Sequence, residues 1–153
     1  AGLPGQGTIK SAIGIGALLL DGIGDTLRVS LTGSPIPEAK AARDILRALG
    51  LVGGVEIIAC PTCGRTRVDI EALAKSVEAR TQHIKADIKV AVMGCVVNGP
   101  GEAQDADIAL CGGEGSSALY LKGDFVKKVT GDPEEALIQL IDDYVAEQKE
   151  KID

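Results

Sequence analysis

An α/β fold is predicted for this 153-residue chain, because strand-like and helix-like segments alternate along most of it. The apolar run "VEIIA" at residues 55–59 precedes a helix-like segment at about 69–82, and a second apolar run, "IKVAVMG", follows at 88–94. Buried strands separated by a helix in this order are typical of a parallel sheet. The sequence therefore predicts a β-α-β unit at the centre of the chain.

The first fifty residues have the pattern of a helix, a short strand and a second helix. The segment 8–20 is apolar, "DTLRVSL" at 25–31 is predicted as the strand, and Ser34 is predicted to cap a helix that ends at Gly50. One strand between two helices cannot bury both of its faces without other strands beside it. We therefore expect residues 1–50 to be the end of a larger α/β structure, joined by "LVGG" at 51–54 to a second domain over 54–153.

The second half of the chain supplies the remaining elements. "NGPGE" at 98–102 is predicted as a loop, and "DIALC" as a strand with one buried face. "SALYL" and "FVKKV" are predicted to form a hairpin around Lys122-Gly123. The final segment, "DPEEALIQLIDDYVAE", is predicted as a helix capped by Asp132, with apolar side chains at helical spacing on one face.

Composition excludes several classes of partner. Hydrophobic residues make up 45% of the chain and aromatic residues only 2%, so aliphatic side chains must form the core. The net charge is −6, and residues 54–153 carry eighteen acidic and eleven basic side chains. An acidic surface with few aromatic rings predicts no nucleic-acid partner. The sequence shows neither a signal-peptide pattern nor a bilayer-spanning run, so we expect a cytoplasmic protein that binds no membrane and keeps its thiols reduced.

Three cysteines are candidates for a shared metal site. Cys60 and Cys63 lie in the turn "CPTCGRT" after the first buried strand, and Cys95 follows the second. Because the carboxyl ends of parallel strands lie on one edge of a sheet, the three thiolates can meet there. A structural zinc site would need a fourth ligand, for which only the unpaired Cys111 and His83 remain. Three cysteines with one different ligand suit a [4Fe–4S] cluster that leaves one iron for chemistry.

Two alternatives remain open at this point. The same cysteines could form a non-catalytic zinc-binding module, or Cys60 and Cys63 could form a thioredoxin-like redox pair. Cys111 is predicted to be a core residue and His83 a solvated residue at a helix end. Glu102 follows Cys95 in the glycine-rich "NGPGE" and could bring an oxygen ligand back to a metal, although an exposed glutamate is more often only solvated.

Three segments together resemble one enzyme family. They are "GTIKSAIGIGALLLDGIGDTLRVSLT", "CPTCGRT" and "VMGCVVNGPGE", in this order, and they resemble the hydroxymethylbutenyl diphosphate synthases of the non-mevalonate isoprenoid pathway. The resemblance runs over essentially the whole chain. It implies the last βα portion of a TIM barrel, followed by an iron–sulfur α/β domain of the sulfite-reductase type. Most of the barrel has no counterpart in this sequence.

The resemblance also implies roles for individual residues. Cys60, Cys63 and Cys95 match the cluster cysteines, and Glu102 matches the carboxylate that holds the fourth iron. Asn98 matches a residue that reaches the substrate across a head-to-tail homodimer. The residues that match diphosphate-binding positions of the barrel are Lys10, Arg28 and Ser30.

The implied reaction is the reductive ring opening of methylerythritol cyclodiphosphate, with electrons from flavodoxin or ferredoxin.

Arg28 and Ser30 alternate with Leu27, Val29 and Leu31, so both side chains are predicted to share one face of the strand. In a closed barrel that face is the interior, where an arginine needs an anion and a diphosphate supplies one.

Overall fold

The computed structural model describes residues 1–150, except for the side chain of Glu102. It divides into two compact units, Ala1–Gly53 and a second unit that begins at Gly54. The assignment of these units as separate domains stays a prediction, and each unit is described here by itself. Within the described residues, no helix is both long enough and apolar enough to cross a lipid bilayer.

The first unit consists of two helices and an extended segment between them. Helix α1 covers Gln6–Leu20 and helix α2 covers Ile36–Ala48. Val29 and Leu31 of the extended segment are buried against Ala41 and Ile45 of α2. The two predicted helices are thus confirmed, and the alternating pattern of the segment between them turns its apolar side chains toward the helices.

The strand predicted at residues 25–31 is wrong. The segment is extended, but no strand is assigned to it in the part of the chain that the structure describes. A strand is defined by its ladder of hydrogen bonds, and here the amide of Leu31 donates instead to the carboxylate of Glu38, 2.8 Å away. The amide of Thr32 donates to the carbonyl of Gly2 at 2.9 Å.

Helix α2 begins one residue later than predicted and ends as predicted. Pro35, not Ser34, occupies the N-cap position, although the Oγ of Ser34 accepts from the amide of Ile36 at 3.4 Å. At its end the amide of Gly50 donates to the carbonyl of Arg47, and that of Leu51 donates to the carbonyl of Leu46. This pair of bonds with a left-handed glycine is a Schellman motif, and Gly50 has φ of +67°.

The second unit is a five-stranded mixed sheet with helices, which confirms the α/β class. Its sheet order is β1-β2-β3-β4-β5. The pairs β1–β2 and β2–β3 are parallel, and the pairs β3–β4 and β4–β5 are antiparallel. The elements in chain order are β1 Val55–Ala59, α3 Ile70–Thr81, β2 Ile88–Met93, α4 Gly99–Glu102, β3 Ile108–Cys111, β4 Ser117–Leu121, β5 Asp124–Val129 and α5 Pro133–Glu150.

The two faces of this sheet are covered differently. On one face, branched aliphatic side chains of the strands pack against Val77 of α3 and against Leu137 and Ile141 of α5. On the other face the buried side chains are smaller, and the chain after α4 covers them with Ala103 and Ala106. Small side chains allow this segment to lie close to the strand ends, where the cysteines are.

Strand β3 departs from its predicted exposure. All four of its residues are buried, whereas "DIALC" was predicted to have one buried face. The reason is its position as the central strand, covered by α5 on one face and by the segment after α4 on the other. A strand covered on both faces does not alternate in polarity.

The predicted hairpin turn and the predicted cap of the last helix are confirmed. Lys122 and Gly123 form the two-residue turn of the β4–β5 hairpin, with φ of 50° and 85°. Asp69 caps α3 by accepting from the amide of Ala72. Asp132 caps α5, its Oδ1 accepting from the amide of Glu134 at 2.9 Å.

One buried hydroxyl joins α5 to the start of β3. The Oη of Tyr144 donates to Oδ1 of Asp107 at 3.1 Å, and Oδ2 of Asp107 accepts from the amide of Lys89 at 2.9 Å. We expect Tyr144→Phe to lower the free energy of unfolding by about 1 kcal/mol, the usual loss for one hydrogen bond. Urea denaturation followed by circular dichroism measures this loss. In the Asp107→Ala background the same replacement should have almost no effect, and an equal loss there would contradict the pairing.

Candidate metal centre

Cys60 is placed by the pairing of the first two parallel strands. Ala59, the last residue of β1, is opposite Val92 of β2. The amide of Cys60 donates to the carbonyl of Val92 at 3.3 Å, so the ladder continues one residue beyond the strand. In return the amide of Gly94 donates to the Cys60 Sγ at 3.2 Å. The first thiol is therefore in direct contact with the residue that precedes Cys95.

The turn that follows is closed by Thr66. Its Oγ1 accepts from the amide of Cys63 at 3.0 Å and lies 4.0 Å from the Cys63 Sγ, to which the hydroxyl can donate. The amide of Thr66 donates to the carbonyl of Cys63 at 3.0 Å. A Cβ on Gly94 would lie 2.9 Å from Cγ2 of Thr66. The glycine thus lets this turn lie directly against the end of β2.

The electrostatic surroundings of Cys95 favour its charged form. The backbone N–H groups of Asn98, Val97 and Gly99 and the charge of Arg65 act on the thiol. These interactions, led by the amide of Asn98, lower the pKa of the Cys95 thiol. Successive backbone N–H groups that surround an anion favour the thiolate, which is the form that binds metals.

The segment predicted as the "NGPGE" loop is a single helical turn, α4, and the loop prediction is wrong. The amide of Ala103 donates to the carbonyl of Gly99 at 2.9 Å. Proline is favourable at the start of a helix, because it has no N–H to leave unpaired, and Pro100 lies there. The turn aligns the amides that reach the Cys95 sulfur.

Gly99 allows this turn to lie against the core. A Cβ at this position would be 2.8 Å from the Cys111 Sγ and 3.0 Å from Cβ of Met93. Cys111 is fully buried at the end of β3, as predicted for a core residue. The backbone of α4 therefore occupies the space that a side chain at position 99 would need.

Arg65 connects the two cysteine segments. Its Nη1 donates to Oδ1 of Asn98 at 3.2 Å, although the two residues are 33 positions apart. A recess of about 220 Å³ lies beside this contact. Its lining residues are Arg65, Arg67, Cys95, Val96, Val97, Gly112, Gly113 and Glu114.

Of the two candidates for a fourth zinc ligand, Cys111 packs in the same buried cluster as Cys60, and His83 lies at the other end of β2. His83 precedes β2 whereas Cys95 follows it, so roughly 17 Å of strand separates them. Among the described residues, no three His, Cys, Asp or Glu side chains are grouped closely enough to hold one metal ion. That the sulfurs of Cys60, Cys63 and Cys95 share one centre stays a prediction, and the side chain of Glu102 lies outside the described residues.

The three predicted diphosphate-binding residues lie in the first unit. Lys10 is exposed on α1, Arg28 is exposed, and Ser30 is half-buried. Val29 and Leu31 turn toward the helices, so Arg28 and Ser30 share the opposite face of the extended segment. Their role in binding a diphosphate stays a prediction.

Sequence reasoning missed three contributors to this site. They are the guanidinium of Arg65, the hydroxyl of Thr66 and the backbone amides of residues 97–99. Both side chains lie within three residues after the second cysteine in "CGRT", and this polar pair was the available signal. The amides could not be found from residue type, because every residue except proline carries one.

The donor set fits an iron–sulfur cluster. Amides reach the sulfurs of Cys60 and Cys95, and a hydroxyl lies near that of Cys63. Hydrogen bonds to cysteine sulfurs are among the features by which proteins hold and tune such clusters. The fold and the site thus define a mixed α/β domain that presents three thiols at the carboxyl ends of its parallel strands.

Comparison with known proteins shows the family. Residues 56–145 match the family of the GcpE protein C-terminal domain, and residues 1–43 match that of the GcpE TIM-barrel domain. The chain belongs to the GcpE family. The second match also agrees with the predicted remnant of a TIM barrel.

Curated relatives carry a more particular name. The chain is 57% identical to the 4-hydroxy-3-methylbut-2-en-1-yl diphosphate synthase (flavodoxin) of Clostridium perfringens, over 93% of this chain and 41% of that protein. It is 62% identical to the protein of the same name from Caldanaerobacter subterraneus subsp. tengcongensis, over 84% of this chain and 37% of that protein. It is 52% identical to the protein of the same name from Symbiobacterium thermophilum, over 97% of this chain and 41% of that protein. The chain therefore spans about two fifths of the length of these relatives.

Proposed function

We propose that this chain is the C-terminal part of a 4-hydroxy-3-methylbut-2-en-1-yl diphosphate synthase, called the full-length enzyme below, and that its second unit holds a [4Fe–4S] cluster. The structural observation that carries the proposal is the contact between the two cysteine segments, in which the Cys60 sulfur accepts from the amide of Gly94, the residue before Cys95. The relatives' names supply the reaction. The enzyme is an oxidoreductase of isoprenoid biosynthesis.

The proposed reaction opens the ring of 2-C-methyl-D-erythritol 2,4-cyclodiphosphate. Two electrons and two protons are consumed, one water is released, and 4-hydroxy-3-methylbut-2-enyl diphosphate is formed. The printed names of the relatives favour flavodoxin over ferredoxin as the electron donor. We also propose a homodimer in the cytoplasm, where thiols remain reduced.

The residues of this chain have separate tasks in the proposal. Cys60, Cys63 and Cys95 would hold the cluster, with Glu102 as the fourth, oxygen ligand. When bound, such a cluster supplies single electrons and a Lewis-acidic iron. The amides of residues 97–99 stabilise the Cys95 thiolate, and the side chain of Asn98 binds the substrate.

The diphosphate would be bound by the first unit. Lys10 and Arg28 carry the positive charges, and the exposure of both side chains leaves them accessible to an anion. Ser30 shares the face of Arg28 and supplies a hydroxyl donor.

Two rival functions are less well supported. A thioredoxin-like pair needs a helix that starts at its cysteines, because the helix N-terminus lowers the thiol pKa, whereas α3 starts only at Ile70. A zinc module needs a fourth ligand, whereas His83 lies at the opposite end of β2 from Cys95 and Cys111 is fully buried in the core.

Metal analysis of the reconstituted protein decides between the cluster and zinc. We expect anaerobically reconstituted full-length enzyme to be brown and to contain about four iron and about four sulfide per chain. A colourless protein with one tightly bound zinc per chain would contradict the proposal.

A substitution at Glu102 tests the fourth ligand. We expect Glu102→Gln to keep the cluster, since three thiolates remain, but to lose turnover by at least about tenfold, or about 1.4 kcal/mol of barrier. The reason is that iron prefers a carboxylate oxygen to a neutral amide oxygen. The measurement is iron content and turnover under anaerobic conditions. Full turnover with an intact four-iron signal would show that Glu102 is only a solvated residue.

A further inference from the structure

The contact between Arg65 and Asn98 fixes which way the asparagine amide faces. A guanidinium group has only donors, so its partner at 3.2 Å must be the amide oxygen, Oδ1. The NH₂ group of Asn98, on the other branch of the planar amide, then remains available as a donor to another molecule. Without Arg65 the amide could rotate and present either its oxygen or its nitrogen.

This contact is poorly suited to a purely structural role. Both side chains are exposed, and polar pairs in water contribute little to stability. It does, however, join two segments that each carry a cysteine, and it borders the recess lined by Arg65, Cys95 and Val97. A weak but directional bond at the rim of a recess can orient a side chain toward a bound molecule.

We propose that Arg65 is a positioning residue, which holds the side-chain amide of Asn98 so that its NH₂ group donates to an oxygen of the substrate. The inference rests on the proposed function, because the substrate supplies the acceptor. Phosphoryl oxygens of a diphosphate only accept hydrogen bonds, so a donor at this position discriminates in favour of the substrate. Arg65 itself acts through Asn98 and does not need to touch the substrate.

Substrate binding to the oxidised full-length enzyme tests the proposal without turnover. Isothermal calorimetry under anaerobic conditions would give the dissociation constant for the cyclic diphosphate. We expect Arg65→Met to raise it about tenfold and Asn98→Ala to raise it at least as much. The double variant should bind no more weakly than Asn98→Ala alone, because Arg65 acts only through that side chain.

Arg67 provides the matched control. It lies two residues further on, lines the same recess and carries the same charge. Any loss of binding free energy from Arg67→Met should add to the loss from Asn98→Ala, since Arg67 does not act through the side-chain amide of Asn98. If the losses from Arg65→Met and Asn98→Ala are also additive, or if Arg65→Met binds like the wild type, the positioning role is wrong.

Two further variants test the direction of the amide. Asn98→Asp removes the NH₂ donor but keeps an oxygen for Arg65, so we expect it to bind the diphosphate at least as weakly as Asn98→Ala. Retained affinity in Asn98→Asp would overturn the assignment of the amide as a donor. Arg65→Lys keeps one donor and should recover part of the affinity lost in Arg65→Met.

Hydrogen exchange separates failure of this inference from failure of the proposed function. If the wild-type enzyme does not bind the cyclic diphosphate, the proposed function is wrong, whatever Arg65 does. The contact is then judged by the exchange rate of the peptide that covers residues 96–103. Arg65→Met should accelerate exchange there and Arg67→Met should not, and equal rates in all three proteins would overturn the contact.

Discussion

Cys95→Ser in the full-length enzyme is expected to lose the cluster and the activity together. A serine hydroxyl is much harder to deprotonate than a thiol, so the amides that lower the pKa of Cys95 would not create an anionic ligand from serine at this position. Only two of the three proposed ligand cysteines remain, which is too few to hold four irons. We expect iron content below about one per chain and turnover reduced at least about a hundredfold, or about 2.7 kcal/mol of barrier.

Cys111 is the control for this experiment. It is also a cysteine at the end of a parallel strand, but its side chain is buried against Gly99. Cys111→Ala should therefore keep about four irons per chain and lose only some stability. A Cys95→Ser enzyme that retains four irons, or a Cys111→Ala enzyme that loses them, would show that the wrong cysteine has been assigned.

Gly99→Ala is expected to disturb the same site without changing any proposed ligand. The added methyl would be 2.8 Å from the Cys111 Sγ and 3.0 Å from Cβ of Met93, which is closer than real contacts allow. Both neighbours are buried and cannot move away easily, so α4 must shift and carry its amides away from Cys95. We expect the free energy of unfolding to fall by about 1–3 kcal/mol, as for other overpacked cores, and iron content to fall with it.

Gly101 offers a matched comparison two residues along the same helical turn. A Cβ there would have nothing within 4 Å. Gly101→Ala should leave iron content unchanged and stabilise the protein slightly, because alanine favours a helix over glycine. Urea denaturation and iron analysis of the two variants side by side give the answer, and equal effects would mean that the close packing at Gly99 is unimportant.

The sequence predicted two kinds of element correctly. One kind buries a single face and so has a periodic apolar pattern, and the other has residues that are typical of a turn or of a helix end. Helix α3 and the turn at Lys122-Gly123 are local features that a short stretch of sequence determines. The strand predicted at 25–31 failed because a strand depends on partners elsewhere in the chain. The exposure of β3 failed because only the sheet order reveals a strand covered on both faces.

For the candidate site, the sequence identified residue types but not their contacts. The proximity of Cys60 and Cys95 could be predicted, because each follows a strand and a helix connects the two strands, which is typical of parallel pairing. The bond from Arg65 to Asn98 could not be predicted from spacing, because it joins two exposed side chains across 33 positions. The glycine-rich segment after Cys95 suggested a loop, since glycine disfavours helices, yet tight packing against Cys111 and Met93 requires a glycine in this turn.

The parallel pairing of β1 with β2 has a consequence for the order of assembly. Ala59 and Val92 become neighbours only after the chain has passed through α3 and returned, so the two thiol-bearing segments are far apart in a nascent polypeptide. The entropy of closing this connection is lost before the contacts between β1 and β2 form, which slows their pairing. A ligand set divided between these two segments is complete only after β1 and β2 have paired. The proposed cluster would in turn protect the domain against proteases, because a group that binds only the native state lowers the population of unfolded molecules.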